Sequence, residues 1–591
     1  GAAAAGAFDG IFFEFRGEFN FHAAGAGEEH ELVYFAEEVA RFAPTLAVAR
    51  NDRWGRTYEG YSEDPEIVSQ YAASIVKGLQ GDAKQDFLGE SRVISTVKHF
   101  IGDGGTQNGD DQGNNLDSEQ ALFNIHAQGY VSGLSAGAQT VMASFNSWHG
   151  VKNHGNKYLL THVLKERMGF DGLVVGDWNG HGQIKGCSNE SCPQAANAGL
   201  DIYMVPTKAW KPLYENTLVQ VKNGEIDMAR IDDAVSRILR VKVRAGLFDK
   251  PSPANRPLSG KTQLIGAREH REVARQAVRE SLVLLKNKNQ LLPLSLHQKI
   301  LVTGDGADNI GKQSGGWTIT WQGTGNNNED FPGGTSIYQG IKQQMLTGRG
   351  SVELSPDGSY QDKPDVAIVV FGEEPYAEGN GDLDNLEYQR GAKSDLALMR
   401  KLKAEGIKVV AVFITGRPLW VNPELNASDA FVVAWLPGTE GAGVAEVLLQ
   451  KANNEIQHDF VGKLSFSWPA TPEQSHINRF DQGEEPLLAY GFGLSYQDDN
   501  VLPDDLDETI AIANRGLSAK DLFLGRAMPP WQLYIGTQGE RQEMTSSVLQ
   551  NKAVHIRTID KQVQEDARQI TWTGQGQGKV ELSSPFPEDL R

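Results

Sequence analysis

The sequence predicts an α/β protein in three successive parts: a first α/β domain with a parallel sheet or barrel, a second with a mostly parallel sheet, and a small all-β region. Three observations carry this. Strand-like and helix-like stretches alternate from about residue 43 to 245. A second alternating series follows a proline-rich segment. Beyond about residue 500, helical periodicity gives way to short strands joined by Gly, Gln and charged turns. Repeated strand–helix units pair their strands in parallel and cover them with helices. The 591 residues leave room for three or four domains of about 150 residues each.

The elements follow in chain order. Residues 1–42 carry no clean motif, and the Ala/Gly-rich start lacks the basic segment of a secretory signal. Strands are predicted over Thr45–Ala49, Val93–His99, Gln139–Phe145, Leu173–Asp177 and Asp201–Val205. Helices are predicted over Asp64–Leu79, Ser118–Ser132, Lys157–Met168 and Asp227–Leu247. In the last, Ile231, Ala234, Val235, Ile238 and Val241 recur at helical spacing, and Asp227 stands where a cap belongs. Polar candidates follow the strand ends: Arg56, Lys98, His99, Asn146 and Asp177. In a (β/α) barrel those ends form the active-site face.

Residues 248–262 hold three prolines and no periodicity, so they read as a linker. The second series has a helix over Ala267–Ser281, then strands Ile300–Thr303, Val366–Phe371, Val409–Ile414 and Phe431–Trp435. Its further helices are Ser336–Met345, Lys393–Ala404 and Glu440–Gln450. The last region offers strands Trp531–Ile535, Val554–Thr558, Gln569–Trp572 and Val580–Leu582.

The net charge is −20, which argues against a nucleic-acid or anionic-membrane partner and suits a neutral substrate. No apolar run reaches the roughly 18 residues of a membrane span. The two cysteines, Cys187 and Cys192, sit close together in a polar loop. A small loop disulfide and an oxidising compartment are the favoured reading, with two reduced thiols as the alternative. Two thiols alone cannot complete a zinc site.

The richest stretch is Gly172-Leu-Val-Val-Gly-Asp177-Trp178-Asn-Gly180. A short buried strand delivers a carboxylate and an indole to its C-terminal end. A carboxylate can attack a cationic carbon, and a flat ring can stack on a pyranose. A turn Asp beside a core Trp is the bland alternative. In the second domain, Asp365–Glu378 runs from a buried strand into a loop carrying Glu373, Glu374 and Glu378. Ligands of open α/β sheets bind beyond such strand ends. If the domains face one another, Asp177 and one of these glutamates flank a bond. A separation of about 5–5.5 Å then means a retaining glycosidase. Gly315-Gly-Trp317-Thr-Ile-Thr-Trp321-Gln-Gly323 presents an indole on a glycine-hinged loop, and Lys98-His99 lies at a strand end. Two lookalikes fail. Gly306–Gln313 lacks the hydroxyl of a phosphate loop, and Asn309 replaces the third glycine of a dinucleotide fingerprint.

Taken together, these stretches resemble glycoside hydrolase family 3, of the plant β-glucan exohydrolase and marine bacterial exo-1,3/1,4-β-glucanase types. The matching segments are Asp52–Asp64, Lys98–Thr106, Val174–Trp178, Ser281–Asn287, Gly315–Gly323 and Gly372–Glu378. Tyr490–Tyr496 resembles the end of the family's second domain, so the likeness covers about residues 43 to 498. It implies a (β/α)8-type barrel over residues 1–247, N-terminally incomplete. The 248–262 linker, an α/β sandwich domain over 263–498 and a partial C-terminal β-sandwich-like domain over 499–591 follow. It implies Asp177 as nucleophile and Glu373 as acid/base, with Glu378 in reserve. It also implies Arg56, Lys98 and His99 as sugar-binding residues, and Trp178 and Trp317 as the indoles that sandwich the leaving sugar. No metal or organic cofactor is called for.

The activity implied is retaining, exo-acting release of glucose from the non-reducing ends of β-glucans and β-gluco-oligosaccharides, by a secreted or periplasmic enzyme. Three departures stand out. An early substrate-binding Asp of the family is not found, Phe145 stands where plant members often carry Tyr, and the β tail is short. The alternatives are a β-xylosidase or β-N-acetylglucosaminidase of the same family, or a non-catalytic glucan-binding protein. The Asp-Ser-His tripeptide of the second is absent after Lys98-His99. Linkage preference and oligomeric state are left open.

Overall fold

The computed structural model describes residues 40–82, 84–390 and 393–510, and most of the strands between 523 and 583. The chain divides into two compact units that meet in sequence at Ile265 and Gly266.

The first unit holds a parallel sheet of four strands in chain order: β1 (Ala40–Arg41), β2 (Ile94–Phe100), β3 (Thr140–Ala143) and β4 (Leu173–Val175). Helices fill the connections, as parallel pairing demands. Helix α1 (Pro65–Gln80) starts cleanly because Pro65 needs no N–H partner and the Asp64 carboxylate accepts from Glu66 N at 2.9 Å. Val68, Ala72, Val76 and Gln80 form its buried stripe. It packs against α2 (Gln128–Ser135). The long helix α3 (Met228–Arg244) buries Ala234 and Val241.

Several expectations are corrected here. Closure into eight strands does not appear among the described residues. Thr45 and Ile202 make single parallel bridges, to Lys98 and Val175, rather than full strands. The helix expected over Ser118–Ser132 is broken by a wider turn at Leu122–His126, and Tyr158–Arg167 is wound the same way. Asp227 occupies the cap position of α3, but its side chain makes no capping bond. Residues 248–262 form turns and short 3-10 segments, mostly exposed.

The second unit centres on six strands: β5 (Val283–Asn287), β6 (Lys299–Thr303), β7 (Ser351–Leu354), β8 (Val366–Gly372), β9 (Lys408–Ile414) and β10 (Ala430–Trp435). Their order is β7-β6-β8-β9-β10-β5, all parallel except β5. Strands β8 and β10 are buried along their whole length, as expected of a sheet covered on both faces. Alternate residues feed two cores. Ile368, Val370, Val410 and Val412 pack under α4 (Arg268–Ser281), α5 (Ile337–Met345) and α7 (Gly441–Leu448). Val369, Phe371, Ala411 and Phe413 pack under α6 (Ser394–Ala404). The chain leaves β6 for one edge of the sheet and returns through β8 on the other side. The carboxyl ends of β6 and β8 therefore flank a switch point, where ligands of such sheets bind.

Two small antiparallel sheets follow, Glu540–Glu543/Gln532–Thr537/Lys579–Ser583 and Val548–Gln550/Val554–Ile559/Ala567–Trp572. Ile535, Val554 and Ile556, with Leu549, Ile570 and Val580, give them one shared core.

The central packing of β9 sets a stability expectation. Phe413 is fully buried among Phe371, Tyr388 and Phe431. Phe413→Ala should cost about 3–5 kcal/mol in a urea titration. A loss within about 1 kcal/mol would contradict the packing described.

Candidate active site

In the first unit the polar candidates gather beyond β2 and β4. Asp177 lies two residues past β4, where the Gly176 N–H still bonds Ile202 O at 2.9 Å. Its own N–H donates to His154 Nε2 at 2.9 Å, and its Oδ1 accepts from Trp178 N at 2.7 Å. Its Oδ2 lies 3.7 Å from His99 Nε2. Burial raises the Asp177 carboxyl above the usual carboxylate range, while the charges of Arg56 and Lys98 pull it back down.

Lys98 and His99 are adjacent, and a regular strand would send them to opposite faces. The β2–β3 register shifts between Val97 and Phe100. Both residues act on Asp177, His99 with Nε2 3.7 Å from its carboxylate and Lys98 through its charge. His99 is held at both ring nitrogens, by Asp103 Oδ2 at 3.0 Å on Nδ1 and by the Arg56 guanidinium at 3.3 Å on Nε2. An arginine N–H can only donate, so Nε2 is the acceptor and Nδ1 carries the proton toward Asp103. Burial first, then Arg56, Lys98 and His154, hold His99 well below its ordinary value, so the ring is neutral. Arg56 is itself fixed by a two-pronged bond to Glu59, at 2.8 Å for each arm. Burial pushes Asp103 up to about 7, against the pull of Arg56. Asp111 accepts from Trp54 Nε1 at 3.1 Å and is likewise raised by burial.

Trp178 is half-buried beside Asp177, and its indole N–H has no protein acceptor among the described residues. Phe145 is buried with its ring 5.8 Å from that of His154, so it borders the site through the histidine that holds Asp177 N. Cys187 and Cys192 form the disulfide that the spacing favoured.

In the second unit the candidates occupy the loops after β6 and β8. Gly372 is needed because a Cβ there would overlap Ile414 O. Glu373 then turns its carboxylate into a nest of donors. Oε2 accepts from Tyr376 Oη at 3.1 Å, Thr415 Oγ1 at 2.8 Å and Gly416 N at 3.0 Å, and Oε1 from Arg417 Nε at 3.1 Å. The Gly416 and Arg417 N–H groups can only donate, one to each oxygen, so the carboxylate is tied at both ends.

Glu374 pairs with buried Lys312, which also binds Asp305, at 2.7 and 2.6 Å. The ammonium that made this stretch look like a phosphate loop is thus neutralised within the protein. Glu378 opens a short 3-10 turn, half-buried, with left-handed φ of 54°. Trp317 sits on a loop beyond a short helix, Ile310–Ser314, with φ of 59° and its N–H bonded to Trp321 O at 2.8 Å. Gly323 closes that loop where a Cβ would overlap Gly315 O.

The expected residues therefore collect in two sets: Arg56, Lys98, His99, Asp177 and Trp178 in the first unit, and Glu373, Glu378 and Trp317 in the second. Sequence reasoning missed Glu59, Asp103, Asp111 and His154 around Asp177. Asp103 carried a readable signal, four residues after His99 in a strand-end turn. Arg417 had none, because it reaches Glu373 from the end of a different strand. Among the described residues no group of three or more His, Cys, Asp and Glu is arranged to hold a metal ion. No helix among them is long and apolar enough to cross a membrane.

Comparison with known proteins bears on this arrangement. Residues 36–241 match the glycosyl hydrolase family 3 N-terminal domain, residues 282–496 its C-terminal domain, and residues 529–591 a galactose-binding domain-like family. The crystal structure of an exo-1,3/1,4-beta-glucanase from a Pseudoalteromonas species is similar with a TM-score of 0.80 and 46% identity, covering 100% of this chain and 72% of that one. The lysosomal beta glucosidase of Dictyostelium discoideum is 31% identical over 77% of this chain. The periplasmic beta-glucosidase of Salmonella typhimurium is 31% identical over 77% as well. The chain spans 58% and 65% of the lengths of these two relatives. With both domains matched in order and a solved relative at 46% identity, the chain belongs to glycosyl hydrolase family 3.

Proposed function

We propose that this chain is a retaining, exo-acting glycoside hydrolase that releases glucose from the non-reducing ends of β-glucans and β-gluco-oligosaccharides. The observation that carries the reading is Asp177: a half-buried carboxylate at a strand end, facing neutral His99, with Arg56 and Lys98 favouring its ionised form. The four parallel strands are read as an arc of a (β/α) barrel. The disulfide and the periplasmic relative support a compartment outside the cytosol.

In this reading Asp177 attacks the anomeric carbon and forms a glycosyl-enzyme, which water then opens. Arg56, Lys98 and His99 bind the hydroxyls of the terminal glucose. Contacts that tighten as the ring flattens lower the barrier. Trp178 and Trp317 give the sugars flat apolar faces. The acid/base role moves from Glu373 to Glu378. Glu373 is committed to Arg417, Thr415, Gly416 and Tyr376, and serves to fix the turn. Glu378, in the same loop, protonates the departing oxygen and then deprotonates the incoming water.

Product analysis on laminari-oligosaccharides tests the stereochemistry. Proton NMR should show β-glucose first; α-glucose first would contradict the double displacement. Asp177→Asn should lower kcat more than about 10⁴-fold on aryl β-glucosides. Glu378→Ala should lose about 10²- to 10⁴-fold on laminaribiose but little on 2,4-dinitrophenyl β-glucoside, with azide trapping a β-glucosyl azide. If Glu373→Gln shows that pattern and Glu378→Ala does not, the assignment reverts to Glu373.

The pH profile follows from the Asp177 environment. Its raised value keeps the inactive, protonated form present to higher pH than for an ordinary aspartate, and activity rises as that proton leaves. The Lys98 charge favours the ionised form. Lys98→Met should therefore move the acidic limb of kcat/KM to higher pH. A limb that stays put or moves down would contradict this electrostatic role.

A further inference from the structure

The acid loop and the tryptophan loop are joined through one buried side chain. Gln322 belongs to the loop that carries Trp317 and is 5% exposed. Its Oε1 accepts from Ala377 N at 2.9 Å, and its Nε2 donates to Ala377 O at 3.3 Å. Both backbone groups of Ala377, itself fully buried, are thus satisfied by one amide. Only this orientation of the amide pairs a donor with an acceptor at both contacts. Ala377 is the residue immediately before Glu378.

The geometry on either side needs such a tie. Trp317, Ile319 and Glu378 all hold left-handed backbone at φ of 59°, 60° and 54°. Side chains resist that region, and residues persist there only where their surroundings over-determine them. The tryptophan loop is braced internally by Trp317 N to Trp321 O at 2.8 Å and by Asn326 Nδ2 to Thr318 O at 2.9 Å. The acid loop is braced by the contacts of Glu373 and by Lys312 on Glu374. Gln322 links the two braced pieces at the residue next to the acid.

We propose that Gln322 is a positioning residue: its two bonds to Ala377 lock the Trp317 loop and the acid loop into one body, fixing Glu378 relative to the indole that receives the leaving sugar. This rests on Glu378 as the acid/base. The amide does not touch substrate; it acts through the backbone of its partner. A misplacement of about 1 Å in an acid costs roughly a hundredfold in proton delivery. That penalty falls only on leaving groups that need the proton.

The test compares laminaribiose with 2,4-dinitrophenyl β-glucoside for Gln322→Ala, with Glu378→Ala in parallel. Gln322→Ala should lose about 10- to 100-fold in kcat on laminaribiose and less than about threefold on the dinitrophenyl glucoside. Where Gln322→Ala fails to fold, Gln322→Met keeps the volume, removes both bonds and carries the same expectation. A leaving-group-dependent Glu378→Ala beside a Gln322 variant with equal losses on both substrates, or none, overturns the clamp alone. A flat response of Glu378→Ala across leaving groups overturns the acid assignment and the clamp with it.

Discussion

Taking a carboxylate out of water costs several kcal/mol unless the protein supplies charge in return. Asp177 is in that position, and the first unit is arranged around the compensation. Arg56 and Lys98 provide the positive field. Glu59 fixes the Arg56 fork, and Asp103 fixes His99 by its Nδ1 proton. His154 accepts from the Asp177 backbone N–H, and the carboxylate itself is held by Trp178 N on Oδ1. In the proposed reading, this pre-set environment leaves little to reorganise at the moment of attack.

In the proposed reading the second unit supplies the acid from the loop after β8, where Glu373, Glu374 and Glu378 lie within six residues. Glu373 takes the donors and anchors the turn, Glu374 takes Lys312, and Glu378 follows on a backbone held by Gln322. Glu373 and Glu374 thus meet different fixed partners within one acidic run. The switch point between β6 and β8 brings the tryptophan loop and the acid loop to the same sheet edge.

The sequence made the helices and central strands readable because each carries a strong local pattern. The buried runs at β8, β9 and β10 and the stripe of α1 are examples. Short pieces such as Thr45 and Ile202 were over-read as strands, since an apolar stretch does not say how many bridges its neighbours leave room for. The wide turns at Leu122–His126 and Tyr158–Arg167 were invisible, because helical spacing tolerates one extra residue per turn. Among site residues, Asp177, Lys98 and His99 were legible as polar groups at strand ends. The partners that fix Glu373 were not, because Thr415 and Arg417 reach the loop from the end of β9 and leave no mark near it in the chain.

The proposed chemistry stands on Asp177 as the residue that bonds the sugar. A 2-deoxy-2-fluoro-β-glucosyl fluoride slows release of a glycosyl-enzyme, and intact-mass and peptide mapping locate the added sugar. One fluoroglucosyl group on the peptide that contains Asp177, attached at that residue, is the result expected. A label on any other carboxylate, or turnover of the reagent with no covalent species and an α-configured product, would contradict it.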